Sequence, residues 1–292
     1  MVELSNDLLT VSLHPKGADI ISIKGKKDQL NYMWRRDASQ WANSAPILFP
    51  IVGALKNDTC VINGKEYHMT QHGFARHNEF ETNQVSDTEV IFSLKSNDEI
   101  IKQYPFLFEL NVTYRLIENK LTCHIEVKNT DHQPIYFQVG GHPAFACPFM
   151  ENESSNDYYL EFSENETCNR KMIDVEKRGM SRVEKPFFDN EKRFFVRQEL
   201  FNTDAIVIKN FKSENIALKS LNHDKSIVFH MNGFDHVGLW AAKHVGGLIA
   251  IEPWVGHADY TDFNGEFKEK ESCVELPVGK NFEVEFAVEI NQ

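Results

Sequence analysis

The chain has 292 residues, with 43 Asp and Glu against 31 Lys and Arg, a formal net charge of −12. A charged fraction of 25% beside a hydrophobic fraction of 41% is that of a chain able to bury a sizeable core, which excludes intrinsic disorder. The acidic balance, with no basic run, excludes nucleic acid and an anionic membrane surface as main partners, although a small anionic ligand needs only one local cation.

The elements follow in chain order from period-two alternation. A short strand is expected over Leu9–Leu13, a two-turn helix over Ser39–Asn43, a strand over Val90–Leu94 and a second short helix over Glu99–Gln103. Apolar side chains then alternate through Phe106, Phe108, Leu110, Val112, Tyr114 and Leu116. A polar break at Glu118-Asn119-Lys120 precedes Leu121, Cys123, Ile125 and Val127, the pattern of a β-hairpin with one wet face. Ile135–Val139 reads as another strand. The polar stretch 150–195 reads as long surface loops around a Tyr158–Phe162 strand, followed by a short helix over Arg197–Phe201. Strands are expected at Ile206–Ile208, Ile216–Leu218, Ile227–Met231 and Leu248–Ile251, and finally from Phe282 to Ile290, where Glu283, Glu285 and Glu289 face the other way. No linker and no repeat interrupts the series, so a single domain over residues 1–292 is expected. The helices are too short to alternate with parallel strands. The expectation is an all-β, mostly antiparallel β-sandwich, with the 22 phenylalanines filling the layer between packed sheets.

Cys60, Cys123, Cys147, Cys168 and Cys273 are odd in number and contain no C-x-x-C pair, a usage suited to reduced thiols in a cytoplasm. Met1-Val-Glu-Leu-Ser-Asn-Asp lacks the basic start and apolar stretch of a secretory signal, and no apolar window approaches the ~18 residues of a membrane span. A cytoplasmic location follows as an expectation.

Three segments interrupt strand ends with groups that can move protons. In Gln71-His72-Gly73-Phe74-Ala75-Arg76-His77, an imidazole and a guanidinium flank a glycine. The alternative is a loop with solvated side chains; His72 and His77, an odd number apart, would fall on opposite faces of a strand and do not read as a metal pair. Val139-Gly140-Gly141-His142-Pro143-Ala144-Phe145 ends a strand in two glycines and a histidine able to transfer a proton near neutrality. A turn with a hydrogen-bonded histidine would look the same. In Leu248-Ile249-Ala250-Ile251-Glu252-Pro253-Trp254, a carboxylate terminates an apolar strand, where burial raises its pKa, and the proline is expected to stop the sheet. Trp254 offers an apolar face to a sugar; a salt-bridged structural glutamate is the alternative. No G-x-S-x-G and no H-E-x-x-H occurs, so neither a serine nucleophile nor a zinc centre is expected.

Taken in order, these segments resemble the aldose 1-epimerase (galactose mutarotase) family, and within it the bacterial LacX-like branch. Ala45-Pro46-Ile47-Leu48-Phe49-Pro50-Ile51-Val52-Gly53 shares the likeness. The resemblance implies the galactose mutarotase-like supersandwich and the interconversion of α and β anomers of an aldose, without cofactor or metal. It implies Glu252 as general base, His142 as general acid and His72 as a second active-site histidine, with the Glu252 charge expected to keep His142 protonated. It implies substrate contacts at Arg76, Phe74 and Trp254. Asp235 is the candidate for the aspartate that galactose mutarotases use on sugar hydroxyls, and Lys243 with Arg76 for contacts to a phosphorylated sugar. The sequence departs from the family at Ala54, where many members carry an arginine; Lys56 could substitute. That departure keeps a non-catalytic sugar-binding protein open as the alternative. A lyase or glycoside hydrolase is a weaker one, requiring a second carboxylate opposite Glu252. The expected partner is a small sugar, and the exposed edges of a large sandwich would support a homodimer.

Overall fold

The computed structural model describes residues 1–202, 204–242 and 247–292. Its framework is a 15-stranded sheet whose paired strands all run antiparallel, with smaller two- and three-stranded sheets beside it. The fold is the all-β, mostly antiparallel architecture expected from the alternation.

Where one strand face is wet, the pattern translates directly into structure. Strands Phe108–Ile117 and Lys120–Asn129 form the predicted hairpin, with Phe108, Leu110, Val112, Tyr114 and Leu116 buried against the core, as are Leu121, Cys123, Ile125 and Val127. Asn281–Asn291 pairs with Lys120–Asn129 on one side and Ser226–Asn232 on the other. Aromatic rings fill the core: Phe229 stacks on Phe286 of the adjacent strand with centroids 5.4 Å apart and meets Phe145 edge-on at 6.0 Å.

Three expectations are corrected. Residues 158–195 are not loops but two 17-residue strands, Tyr158–Asp174 and Gly179–Phe195, paired into a long hairpin. Register shifts interrupt the pairing, for example between Glu161 and Glu166, where the side-chain alternation of the two strands falls out of phase. Much of the ribbon is also exposed on both faces, so no buried stripe marks it in the sequence. Ser39–Asn43 is not a helix. Asp37 caps a tight turn, accepting from the Ser39 amide, and Trp41 leaves that turn toward the cleft described below. The other two short helices exist in reduced form, as Asp98–Ile101, capped by the Asn97 side chain, and a 3-10 turn at Gln198–Phe201.

Third, Pro253 does not stop the sheet, and Glu252 does not end a strand. Gly247–Val255 runs through both residues. One neighbour, His236–Trp240, pairs along most of it. The other changes from Ala144–Cys147 to Val139–Gly141. The Ile251 amide donates to Pro143 on that second side, and residue 253 faces the same way at the changeover, where a missing N–H costs least.

Phe229 is fully buried between the rings of Phe286 and Phe145. Phe229→Ala is expected to lower the unfolding free energy by about 3–5 kcal/mol, measured by urea denaturation.

Candidate active site

Strand geometry fixes what Glu252 can reach. Residues 252 and 254 project from one face of Gly247–Val255, opposite Gly238 and His236 of the neighbouring strand. Both neighbouring strands make room with glycine. A Cβ at Gly238 would lie 2.7 Å from the Trp254 ring, and one at Gly140 would lie 2.8 Å from it. Trp254 therefore lies flat between two side-chain-free positions, packed with Leu48, Val52, Met180 and Val207.

His142 follows strand Val139–Gly141 directly, its amide held by the Pro46 carbonyl. The imidazole lies 4.5 Å from Trp41, 5.7 Å from Trp240 and 5.5 Å from His72, centroid to centroid. Its Nε2 is 3.2 Å from Glu252 Oε2, with the two side chains 9% and 2% exposed. The angles do not make this approach a hydrogen bond, and both Glu252 Oε2 and His142 Nδ1 are buried without a hydrogen-bond partner. Trp254 Nε1 and Arg76 Nε are in the same condition. His72 holds a left-handed backbone (φ 66°), its Nδ1 accepting from the Gly53 amide at 3.1 Å. Its Nε2 therefore carries the proton when the ring is neutral.

These groups line a cavity of about 420 Å³ open to solvent. Glu252, His142, His72, Arg76, Trp254 and Ala54 all reach it. Its far wall comes from the long hairpin, through Ile173, Val175, Arg178 and Met180.

The remaining sequence candidates lie elsewhere. Phe74 belongs to the aromatic core, edge-on to Phe49 at 6.0 Å, because its neighbours His72 and Arg76 face the cavity from either side of it in a tight turn. Asp235 is structural: it accepts from the Gly256 amide and the Ser272 hydroxyl and pairs with His236. Lys56 is tied to the Phe263 carbonyl and Asn264. Lys243 lies outside the described residues.

Trp41, Trp240, Arg178 and Asp204 also line the cavity and were not singled out in the sequence. Trp240 carried a usable signal, as a tryptophan closing an apolar strand; the others are single residues without a pattern.

Burial dominates the electrostatics. Desolvation raises the Glu252 pKa well above its ordinary value, with the Asp204 charge adding to the effect, while the Trp254 N–H and Arg76 act against it. Desolvation also lowers His142 to about 3, reinforced by the Arg76 charge. His72 is held neutral by burial and by His142 and Arg76. The expectation that Glu252 keeps His142 protonated is thereby corrected: burial drives both groups toward their neutral forms.

The sequence profile of the aldose 1-epimerase family matches residues 1–275, and the chain belongs to that family. It is 36% identical over 269 residues to Protein LacX, plasmid, of Lactococcus lactis subsp. lactis, covering 87% of each chain. The crystal structure of a galactose mutarotase related enzyme from Lactobacillus acidophilus superposes with a TM-score of 0.95 at 30% identity, covering 100% of this chain and 97% of that one. A galactose mutarotase-like protein from Lactobacillus casei gives 0.92 at 29% identity, covering all of both chains.

The lowered His142 pKa has a consequence for stability. Between its unfolded value of 6.5 and its folded value of about 3, the unfolded chain binds a proton at His142 that the folded chain does not. The stability contributed by the neutral ring is complete above the former value and is lost as pH falls toward the latter. Glu252 acts oppositely, its contribution declining as pH rises through its raised pKa. His142→Asn is expected to lose less stability than the wild type in urea titrations run from about pH 7 down to about pH 4. Equal losses would contradict a buried neutral ring.

Proposed function

We propose that the protein is an aldose mutarotase that opens and recloses the ring of a hexose or related sugar at Glu252 and His142. The observation carrying this reading is the buried approach of His142 Nε2 to Glu252 Oε2, 3.2 Å, at an open cavity lined by unpartnered polar atoms. A pyranose brings the hydroxyls those atoms lack, and Trp41, Trp240 and Trp254 offer apolar faces to its C–H surfaces.

Sugar hydroxyls donating to Glu252 favour its ionised form, and the proton passes to His142. Glu252 then removes the proton from the C1 hydroxyl while His142 delivers one to the ring oxygen. The C1–O5 bond breaks as the C1 carbonyl forms. Rotation about C1–C2 presents the other carbonyl face, and the same transfers in reverse close the opposite anomer. The pair begins and ends with one proton, and His72 and Arg76 hold hydroxyls meanwhile. No external reactant is consumed.

The 36% identity to Protein LacX and the segment Ala45–Gly53 support the LacX-like branch. The free state of all five cysteines suits a cytoplasmic location. Ala54 on the cavity wall favours one second reading, a sugar-binding protein without catalysis, because it leaves that wall without the usual guanidinium.

Polarimetry on fresh α-glucose and α-galactose separates the two. The wild type is expected to accelerate equilibration, with Glu252→Gln and His142→Asn each slowing it by about 10²–10⁴. The rate should fall at high pH, when the pair loses its proton, and at low pH, when it gains a second. Saturable binding with no acceleration over buffer would establish the binding-only reading.

A further inference from the structure

A second histidine cluster lies on the same sheet face as the cavity, one rung beyond Glu252. Glu252 pairs across the strands with Gly238, and Trp254 with His236. His257 follows the same strand after Gly256, and Glu271 approaches from the segment after the 3-10 turn Phe267–Glu269. One donor atom from each of His236, His257 and Glu271 falls within 4.8 Å of the others, and none of the three lines the cavity.

The far nitrogens of both rings are already committed. His236 Nδ1 lies 2.8 Å from Asp235 Oδ1, and His257 Nδ1 lies 2.6 Å from the Ala258 carbonyl. A carbonyl oxygen only accepts, so His257 Nδ1 carries a hydrogen; the Asp235 carboxylate fixes the same tautomer in His236. Each Nε2 of a neutral ring is then left with its lone pair. Both Nε2 atoms lack a hydrogen-bond partner, in rings 5.1 Å apart whose residues are 0% and 2% exposed. Glu271 Oε2 sits 3.5 Å from His257 Nε2. Glu271 is held by the Tyr260 hydroxyl at 2.6 Å and by Lys209 at 2.5 Å. Lys171, 3.6 Å away, adds a second positive charge.

We propose that His236, His257 and Glu271 form a binding site for a divalent first-row transition ion of the zinc class. Two imidazoles and one carboxylate are the ligand set of many such sites, and nitrogen donors select this class over calcium or magnesium. The outer contacts match the usual supporting shell, in which each ligating ring donates its other N–H to a carboxylate or backbone carbonyl. Coordination needs the donor atoms to draw together, since zinc sits about 2.0–2.2 Å from nitrogen or oxygen ligands. Glu271, partly buried on a connecting segment, would have to turn its Oε2 toward the rings in exchange for the Tyr260 hydroxyl, with Oε1 still held by Lys209. The ion would tie the segment carrying Ala258, part of the cavity wall, to strand His236–Trp240. The site is independent of the mutarotation reading, because it shares no residue with the Glu252–His142 pair.

The full chain, stripped with a chelator and dialysed, is titrated with Zn(II) alone and, separately, with Co(II). One equivalent per chain is expected to survive gel filtration by elemental analysis, with a raised unfolding temperature. Co(II) is expected to give the visible bands of a nitrogen-ligated site with few ligands. His257→Gln and Glu271→Gln should each weaken binding more than Asp235→Asn, for which a loss of about 10–100-fold is expected. Failure of the wild type to retain zinc would overturn the proposal, as would a Co(II) spectrum of water ligands only. Unchanged zinc binding in a His236→Gln/His257→Gln variant shown to be folded by circular dichroism would do the same. The spectrum of the wild type decides the matter even where a variant does not fold.

Discussion

A carboxylate in the middle of a buried strand is the constraint around which the rest of the cavity is arranged. Removing a charged group from water costs several kcal/mol unless something compensates, and Glu252, 1% exposed, has no hydrogen-bond partner for Oε2. The protein meets that cost by letting the group hold a proton. His142 arrives from beyond a different strand to within 3.2 Å, and its own burial disfavours the charged imidazolium. Two groups whose ordinary pKa values would make an ion pair are driven by desolvation toward the neutral pair, so a ligand that brings hydrogen bonds can redistribute the proton between them. The flanking tryptophans and the two glycines around Trp254 position and dry these two side chains.

The net charge of −12 describes the surface and not the cavity. Inside, Arg76 interacts with the charges of both Asp19 and Glu252, and Arg178 contributes a second guanidinium from the hairpin. Asp19 is itself raised to about 6 by burial while its carboxylate accepts from the Ala45 amide. Arg76 thus joins the segment Ala45–Gly53 to the acid–base pair electrostatically. Burial is the larger cause at all three groups; Arg76 adds to the lowering of both histidine pKa values and opposes the rise at Glu252.

Legibility in the sequence followed the distribution of solvent. Phe108–Ile117 and Asn281–Asn291 could be read because each has one dry face and one wetter face, which imposes period two. Glu252 could be read because an acidic residue inside an apolar run contradicts its surroundings. The hairpin from Tyr158 to Phe195 could not, because bulges reset its alternation and much of it is wet on both sides. Pro253 misled because its cost depends on which neighbour the strand has at that point, a long-range fact. Phe74 misled by adjacency: motif membership carries no information about which way a side chain turns. Arg178 and Trp41 reach the cavity from segments read as a loop and a helix, and nothing local marks them.

Two pairs of histidines stand near strand Gly247–Val255, and one of them lines the cavity. His72 and His142, with ring centroids 5.5 Å apart, line it, while His236, the cross-strand partner of Trp254, and His257 form the other pair with centroids 5.1 Å apart. The indole can lie there only because Gly140 and Gly238 present no side chain, and its packing against Leu48, Val52, Met180, Val207 and Tyr260 leaves it no alternative position. Both pairs sit in a low-dielectric interior, where charges interact strongly over short distances. Trp254, available to stack on a ligand in the cavity, is thus also joined to the second cluster through its cross-strand partner His236.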